Sequence, residues 1–583
     1  MRRKVWHVRS PDPAAVAALS SELRITNVVA GLLVNRGLAK AEEARVFLEP
    51  RLKNLLHPDS IDGMAAGVER ILTALEGGEK ITVYGDYDVD GMTASSTLFR
   101  FLEMCGHTVE VFLPDRFADG YGVNADRVRD LVEAGTKLFI TVDCGITATK
   151  QVTLANELGA DFIIVDHHQL PLGPLPPAVA IINPHQPTCA FPFKDLCAAG
   201  LAFYLTLALR AEMRKRGWFE DKPVPDVRPL LDIVAIGTIA DVVPLRGLNR
   251  ILVSTGLPRL RQSPHPGVRA LAAVAAPGRE INSGTVAFQL GPRLNAAGRL
   301  STPMKGFELL TTPSPQIARE IAQDIDEENK RRRTVQETIE KEALEQATRD
   351  IGEEAPAYVL WSADWHPGVT GIVASRVVER FHRPCAMIAI KDGVAKGSIR
   401  SISGFNVLEG LRACSDLLTQ FGGHAHAAGI TLPEESLPAF REAFSKAARE
   451  MTPEDRLNPR LLLDAAVGFD DVDSALLDAM DALAPFGAGN PEPRLCTYGA
   501  DVLHMKLVGA DKTHVKLVLQ HNGRKFPAIA FGRHEDAPQP GDSLDVAYRP
   551  EYNEWQGTVS VQLRVLDFRP AVGPSANQPP IGG

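Results

Sequence analysis

Hydrophobic positions in the first half of the chain fall into short β-branched runs separated by amphipathic stretches. Ile81-Thr-Val-Tyr84, Leu138-Phe-Ile-Thr-Val142 and Ile163-Ile-Val165 are too short for helices and lack polar alternation. That pattern predicts strands buried on both faces of a parallel sheet. From residue 81 to about 245 such runs alternate with helical periodicity, which predicts a parallel α/β unit. Residues 230–239 predict an apolar helix ending at Asp241. From Gln316 to Ile351 no glycine or proline interrupts a charged helical stretch centred on Lys330-Arg-Arg-Arg333. It reads as one long helix bridging two lobes. Residues 1 to about 75 read as helical, and a second α/β lobe spans about 355–450. Beyond Pro485, the runs at 513–519, 526–531, 543–549 and 558–566 predict a small β-barrel. The Pro-, Gly-, Ser- and Asn-rich tail after Ala571 reads as disordered.

The three central runs each end in reactive side chains: Asp86-x-Asp88-x-Asp90-Gly91, Asp143-Cys-Gly145 and Asp166-His167-His168. Open parallel sheets bind ligands at the carboxyl ends of their strands. One Asp-rich run is as often a solvated turn, and a His-His pair is more often an ordinary polar pair. Recurrence at three strand ends favours a metal site, because so many carboxylates repel one another without cations. Mixed Asp and His donors suit Mn2+ or Mg2+, and the imidazoles tilt the choice toward Mn2+. The first run also opens the EF-hand calcium pattern. Loop position 12 is Thr97 rather than Glu, however, and a strand precedes it, so that reading fails. Walker A, a Gly-x-Gly-x-x-Gly turn after a strand and Gly-x-Ser-x-Gly are absent, leaving nucleotide-driven motors and serine hydrolases unsupported. Cys144 reads as a small residue packed at a strand end rather than a nucleophile.

A chain of 583 residues exceeds one hydrophobic core, so three or four domains are expected. The net charge of −9 argues against a wholly basic nucleic-acid binder, and any basic contact surface must be local. Cys105, Cys144, Cys189, Cys197, Cys385, Cys414 and Cys496 form no Cys-x-x-Cys pair. Neither a zinc ribbon nor a disulfide framework is indicated, and a reducing cytoplasm is expected. No run approaches ~18 apolar residues, so no export or membrane association is expected.

In order and spacing, Asp86-x-Asp88, Asp143, Asp166-His167-His168 and Gly237-Thr-Ile-Ala-Asp241 resemble the four motifs of the DHH phosphoesterase superfamily. Gly422-Gly-His424-x-x-Ala427-Ala-Gly429 resembles its associated DHHA1 domain. Gly85-Asp-Tyr-Asp-Val-Asp-Gly91, Pro292-Arg-Leu-Asn-Ala-Ala-Gly-Arg299, Trp365-His-Pro-Gly-Val-Thr-Gly371 and Pro485-Phe-Gly-Ala-Gly-Asn-Pro-Glu-Pro493 sharpen the match. They bring the chain closest to the superfamily's bacterial single-strand-specific 5′→3′ exonucleases, over roughly residues 20 to 570. Two departures are Val89, where Ala is usual, and Leu300-Ser-Thr-Pro303, which replaces a small acidic stretch.

The resemblance implies an α/β architecture: a parallel-sheet DHH domain, a long bridging helix, a second α/β DHHA1 domain and a C-terminal OB-like β-barrel. The division expected is 1–75 N-terminal helical segment, 76–312 DHH, 313–354 bridging helix, 355–455 DHHA1, 456–571 linker and OB fold, and 572–583 disordered tail. Two Mn2+ or Mg2+ ions are implied. Asp86 would hold one, Asp143 would bridge, and Asp88, His167 and Asp241 would hold the other. His168 would stand beside the scissile phosphate, giving Asp143, His168 and Asp88 as the catalytic group, with Asp90 in support. Nucleic-acid contacts are expected from Arg116, Arg293, Asn295, Arg299, Ser398, Arg400 and His424. Ser398 and Arg400, joined by Arg116, would take the terminal 5′ phosphate. On the barrel, Lys512, His514, Lys516, Tyr548 and Trp555 are expected to bind the strand. The implied activity is degradation of single-stranded DNA from a free 5′ end to 5′-mononucleotides, in repair and recombination. It would run in the cytoplasm, without a membrane, by a monomer with a single-strand-binding protein and a helicase as partners. Two other readings stay open. A DHH enzyme acting on pyrophosphate or short oligonucleotides would be a shorter chain without a barrel. A non-catalytic single-strand-binding scaffold would have lost metal ligands.

Overall fold

The computed structural model describes residues 4–115, 118–120, 122–300, 302–352, 354–555 and 557–571. Two compact units form: Glu42–Lys330 with Leu483–Glu492, and Met1–Ala41 with Arg331–Ala482 and Pro493–Gly583.

The first unit is built on an all-parallel sheet in the order Glu110–Phe112, Lys80–Gly85, Thr136–Val142, Asp161–Val165, Ala180–Ile182. Val83, Ile140 and Ile163 sit side by side in register and are buried, as the uninterrupted apolar runs require. Helices Val89–Met104, Ala198–Lys215 and Leu231–Ala240 bury most of their length. The last is apolar all round, which suits a helix enclosed on every side. The segment Leu483–Glu492 belongs to this unit. Leu245 N–H donates to the Ala488 carbonyl at 2.7 Å. The buried Arg250 guanidinium lies 3.7 Å from the Phe47 ring and donates to the Leu483 carbonyl at 2.9 Å. The sequence placed this segment with the barrel; a buried arginine, whose charge needs fixed acceptors, ties it here instead.

The second unit holds a mixed five-stranded sheet in the order Gln420–His424, Ala427–Pro433, Val394–Arg400, Cys385–Lys391, Tyr358–Ser362. It also holds a barrel of Leu495–Val508, His514–His521, Arg524–Ala530, Ser543–Trp555 and Thr558–Pro570, closed by pairing between the first and fourth strands. The first barrel strand escaped sequence reading because Gly499 and Asp501 interrupt it and its register shifts there. The N-terminal stretch, expected to be helical throughout, begins with the strand Val5–Val8, paired in parallel with Arg460–Leu463. Trp6 Nε1 donates to Asp567 at 2.8 Å, and Lys4 Nζ to the Leu566 carbonyl at 3.1 Å. Four residues carry too little period to read, and the partner strand lies more than 450 residues away.

The charged stretch forms one helix, Pro315–Gln346, followed by a π turn, Ala347–Ile351. Among the described residues no single helix is long and apolar enough to cross a membrane. The tail 572–583, expected to be disordered, lies outside the described residues.

Candidate metal centre and phosphate-binding residues

Asp86, Asp143 and Asp166-His167-His168 directly follow three adjacent parallel strands, and Asp241 caps the C-terminus of helix Leu231–Ala240. Ligand atoms come within 4.8 Å of one another in three sets: Asp86, Asp88 and Asp143; Asp143, His167 and His168; and Asp90, Cys197 and Asp241. Asp143 belongs to two of the three. His167 Nε2 lies 3.2 Å from Asp143 and 3.7 Å from Asp241. Asp88 groups with Asp86 and Asp143, and its charge also acts on His167 and Asp241. Asp143 also has a φ of 65°, a left-handed conformation that a non-glycine residue adopts at a cost and that recurs at functional sites.

Close backbone approach makes this gathering feasible. A Cβ on Gly91 would lie 2.4 Å from the Asp86 carbonyl oxygen. One on Gly237 would lie 2.2 Å from Thr93 Oγ1 and 2.7 Å from the Ala199 Cβ. Glycine therefore lets three helices converge behind the carboxylates.

Two acids of the motifs are braces. Asp90 is 1% exposed, and its carboxylate accepts from the N–H groups of Ala198 at 2.6 Å and Ala199 at 2.9 Å. It thus caps the positive end of helix Ala198–Lys215. Asp166 accepts from the N–H groups of Ile146 at 3.0 Å and His168 at 2.9 Å and holds the His168 ring at 2.7 Å.

Asn183 was missed by sequence reading. It is fully buried after strand Ala180–Ile182, where its side chain accepts from His185 N–H at 2.8 Å and donates to the His168 carbonyl at 2.9 Å. The available signal was its place after a fourth apolar run, Ala180-Ile-Ile182. Asn183→Asp keeps the acceptor and removes the donor. Groups that orient metal ligands are worth roughly 10–100-fold in metal affinity. Calorimetric titration should therefore show Mn2+ affinity about tenfold weaker or worse, with the KM for DNA unchanged. Unaltered Mn2+ affinity would make Asn183 a packing residue only.

The site's electrostatics point to cations. Burial and the neighbouring Asp88 push Asp86 and Asp90 up to about 7. Burial, with Asp90 and Asp88, lifts Asp241 to about 9, and burial with Asp88 lifts Asp143 well above the carboxylate range. Burial and His168 lower His167 to about 4, leaving a neutral imidazole with a free lone pair. Burial opposes charge on His168, but its hydrogen bond to Asp166 outweighs that and raises it. Asp241 Oδ2 is buried without a hydrogen-bond partner. Oxygen and neutral imidazole donors with excess buried negative charge fit divalent cations.

Carboxyls raised on folding hold protons more tightly in the folded than in the unfolded chain. Metal-free stability is therefore full below about pH 4 and is lost as pH rises through 7 and on toward 9. Mn2+ should raise the melting temperature more at pH 8 than at pH 5.5, by at least about 4 °C. Differential scanning calorimetry with Mn2+ or EDTA measures this; an equal lift at both pH values would sink it.

Cys144 is buried, with its thiol pushed well above the ordinary range by burial and Asp86, so it is no nucleophile. Helix Gly291–Leu300 borders the metal site. A Cβ on Gly291 would lie 3.5 Å from the Ala240 Cβ, and one on Gly298 would lie 2.9 Å from the Tyr87 carbonyl oxygen. Asn295 is half-buried on this helix. Arg293 is not a free cation: it pairs with Asp326 at 2.8 Å and donates to the Gln289 carbonyl. Arg116 and the Arg299 side chain lie outside the described residues.

In the second unit, Ser398 and Arg400 lie on one face of strand Val394–Arg400, against the start of helix Pro367–Phe381. Thr370 Oγ1 donates to Ser398 Oγ at 3.4 Å, and a Cβ on Gly371 would lie 3.0 Å from Arg400 Nη2. A helix start, a hydroxyl and a guanidinium together suit a phosphate. His424 is exposed at the end of strand Gln420–His424.

On the barrel, Lys506, Lys516, Ile529, Arg564 and Arg549 form one cross-strand row. Four of the five are basic, on a chain that is acidic overall. Phe531 lies beside the row, 50% exposed, with His514 at 5.1 Å and Arg564 at 5.7 Å from its ring. Lys512 and Lys516 are exposed. Tyr548, expected to stack on bases, is instead fully buried, its hydroxyl 2.8 Å from Thr497 Oγ1. Strand alternation turns it inward. The Trp555 side chain lies outside the described residues.

A parallel sheet that gathers carboxylates and imidazoles at its carboxyl edge around cation positions defines a metal-dependent phosphoesterase. Residues 80–238 match the DHH family N-terminal domain, 354–450 the DHHA1 domain and 463–567 the RecJ OB domain. The chain is 39% identical over 567 residues to the single-stranded-DNA-specific exonuclease RecJ of Bacillus subtilis (strain 168), covering 96% of this chain and 70% of the relative. The crystal structure of RecJ in complex with Mn2+ from Thermus thermophilus has a TM-score of 0.83 at 32% identity, covering 98% of this chain and 80% of that one. The Mg2+ complex from the same organism has a TM-score of 0.77 at 30% identity, covering 98% and 79%. The chain belongs to the RecJ family.

Proposed function

We propose that this chain is a divalent-cation-dependent exonuclease that degrades single-stranded DNA from its 5′ end to 5′-mononucleotides. The observation that carries the reading is the convergence of Asp86, Asp88, Asp143, His167, His168 and Asp241 at one sheet edge, with no ligand position lost. A scaffold without catalysis would have no use for so much buried, self-repelling charge.

Asp86, Asp88 and Asp143 would hold one cation, and Asp143, His167 and Asp241 the other. Two bound cations supply water activation and stabilise the attacking and leaving oxygens of an in-line displacement. Asp143, common to two of the sets, would contribute to holding both. His168, 36% exposed in its side chain and held by Asp166, which favours its protonated form, would present a donor to the scissile phosphate. Asp90 and Asn183 hold the ligand-bearing segments in place. In the second unit, Ser398, Arg400 and the start of helix Pro367–Phe381 seat the 5′ phosphate, with His424 as a further contact. Arg299 and Asn295 contact the strand from the helix beside the metal site, while Arg293 orients that helix through Asp326. Family membership supports a cytoplasmic monomer that works in repair and recombination with a single-strand-binding protein and a helicase.

Incubation with Mn2+ and separate samples of 5′-labelled single-stranded DNA, duplex DNA, RNA and pyrophosphate tests the reading. Hydrolysis of pyrophosphate in preference to single-stranded DNA would refute it. For the phosphate seat, Arg400→Ala should cut the preference for phosphorylated over unphosphorylated 5′ ends by about tenfold, as losing a charge-assisted contact implies. An unchanged ratio would assign Arg400 to structure.

A further inference from the structure

Immediately after Asp241, the chain places a residue that the metal site does not use. Val242 has a φ of 63°. Helices that end this way usually carry glycine or asparagine there, and a β-branched residue in this region is an outlier. Packing within the fold does not compensate the strain, because the Val242 side chain is 69% exposed. A second exposed apolar side chain lies in the turn that packs on the same helix. Phe288 is 75% exposed, the only exposed aromatic among the described residues of this unit. It lies in the π turn Val286–Leu290, whose ends pack with Ile236 and Ile239 of the Asp241 helix. That turn leads directly into helix Gly291–Leu300, which reaches from Ala240 to the Tyr87 carbonyl between Asp86 and Asp88.

We propose that Val242 and Phe288 form an apolar lip that packs against an unpaired base beside the scissile phosphate, so that single-strandedness is read within the metal-bearing unit itself. This rests on the nuclease reading above. Phosphate contacts are alike on single and double strands. A base offers its flat apolar face to a side chain only when it is unstacked, and an aromatic or aliphatic platform accepts any base. The lip adjoins a site whose charge suits a phosphodiester. The apolar group that accompanies such a phosphate is the base on the neighbouring sugar.

Val242→Gly removes the side chain at a backbone position that glycine adopts freely, so its melting temperature should equal or exceed that of the wild type. On a 5′-phosphorylated single strand, Val242→Gly and Phe288→Ala should each lower kcat/KM about tenfold. On the same strand lacking bases at its first two nucleotides, both variants should match the wild type. With metal chelated, 2-aminopurine at the second nucleotide should be quenched on binding wild-type protein but not on binding Phe288→Ala. Equal losses on both strands, no loss on either, or unchanged quenching would overturn the lip. A wild-type protein that hydrolyses no strand would overturn the nuclease reading, and the lip with it.

Discussion

Asp143→Ala is expected to abolish hydrolysis, by at least about 10³-fold, while single-strand affinity stays within about threefold of wild type. Its carboxylate is shared by two of the three ligand sets and is held in a left-handed conformation at a strand end. No neighbour can take over both contacts. Strand affinity should survive because it comes from basic residues elsewhere, including the barrel row of Lys506, Lys516, Arg564 and Arg549. Removing one buried negative charge from a self-repelling cluster should also leave the metal-free fold no less stable. Retention of more than a few per cent of wild-type activity at saturating Mn2+ would rule out the bridging role.

The second large effect is expected on the barrel. Lys516→Glu combined with Arg564→Glu places two acids in the centre of the basic row, beside Phe531. Binding to long single strands should weaken by about 100-fold near physiological salt, and the slope of log affinity against log salt should fall by about two. Strands of three or four nucleotides, which offer the row few phosphates, should be degraded at nearly the wild-type rate. Charge reversal is a cleaner test than deleting the barrel. Trp6 and Lys4 bond to Asp567 and Leu566, so deletion would strip the N-terminal strand of these side-chain partners. Equal losses on short and long strands would mean that the barrel shapes catalysis rather than tracking the strand.

The sequence alone was enough to bring carboxylates and imidazoles to one sheet edge. Asp86, Asp143 and Asp166-His167-His168 each follow a buried strand directly, and the covalent chain therefore brings them to the sheet's carboxyl edge. The side chains are legible because strand burial and strand-end chemistry are both local. The later barrel strands were legible for the same reason. Tertiary structure alone showed which motif carboxylates also brace the backbone. Asp86, Asp88 and Asp90 share one motif and one chemistry, yet only Asp90 is also bonded by the N–H groups of Ala198 and Ala199, the start of a helix more than a hundred residues on. Asn183 matters only because the His168 carbonyl arrives beside it. Arg293 is engaged because Asp326 reaches it from another helix, and Tyr548 faces inward because the barrel closes around it. Residue type and local period set what a side chain can do. Partners distant in the chain, whose approach is fixed only by packing, decide which of those possibilities is used.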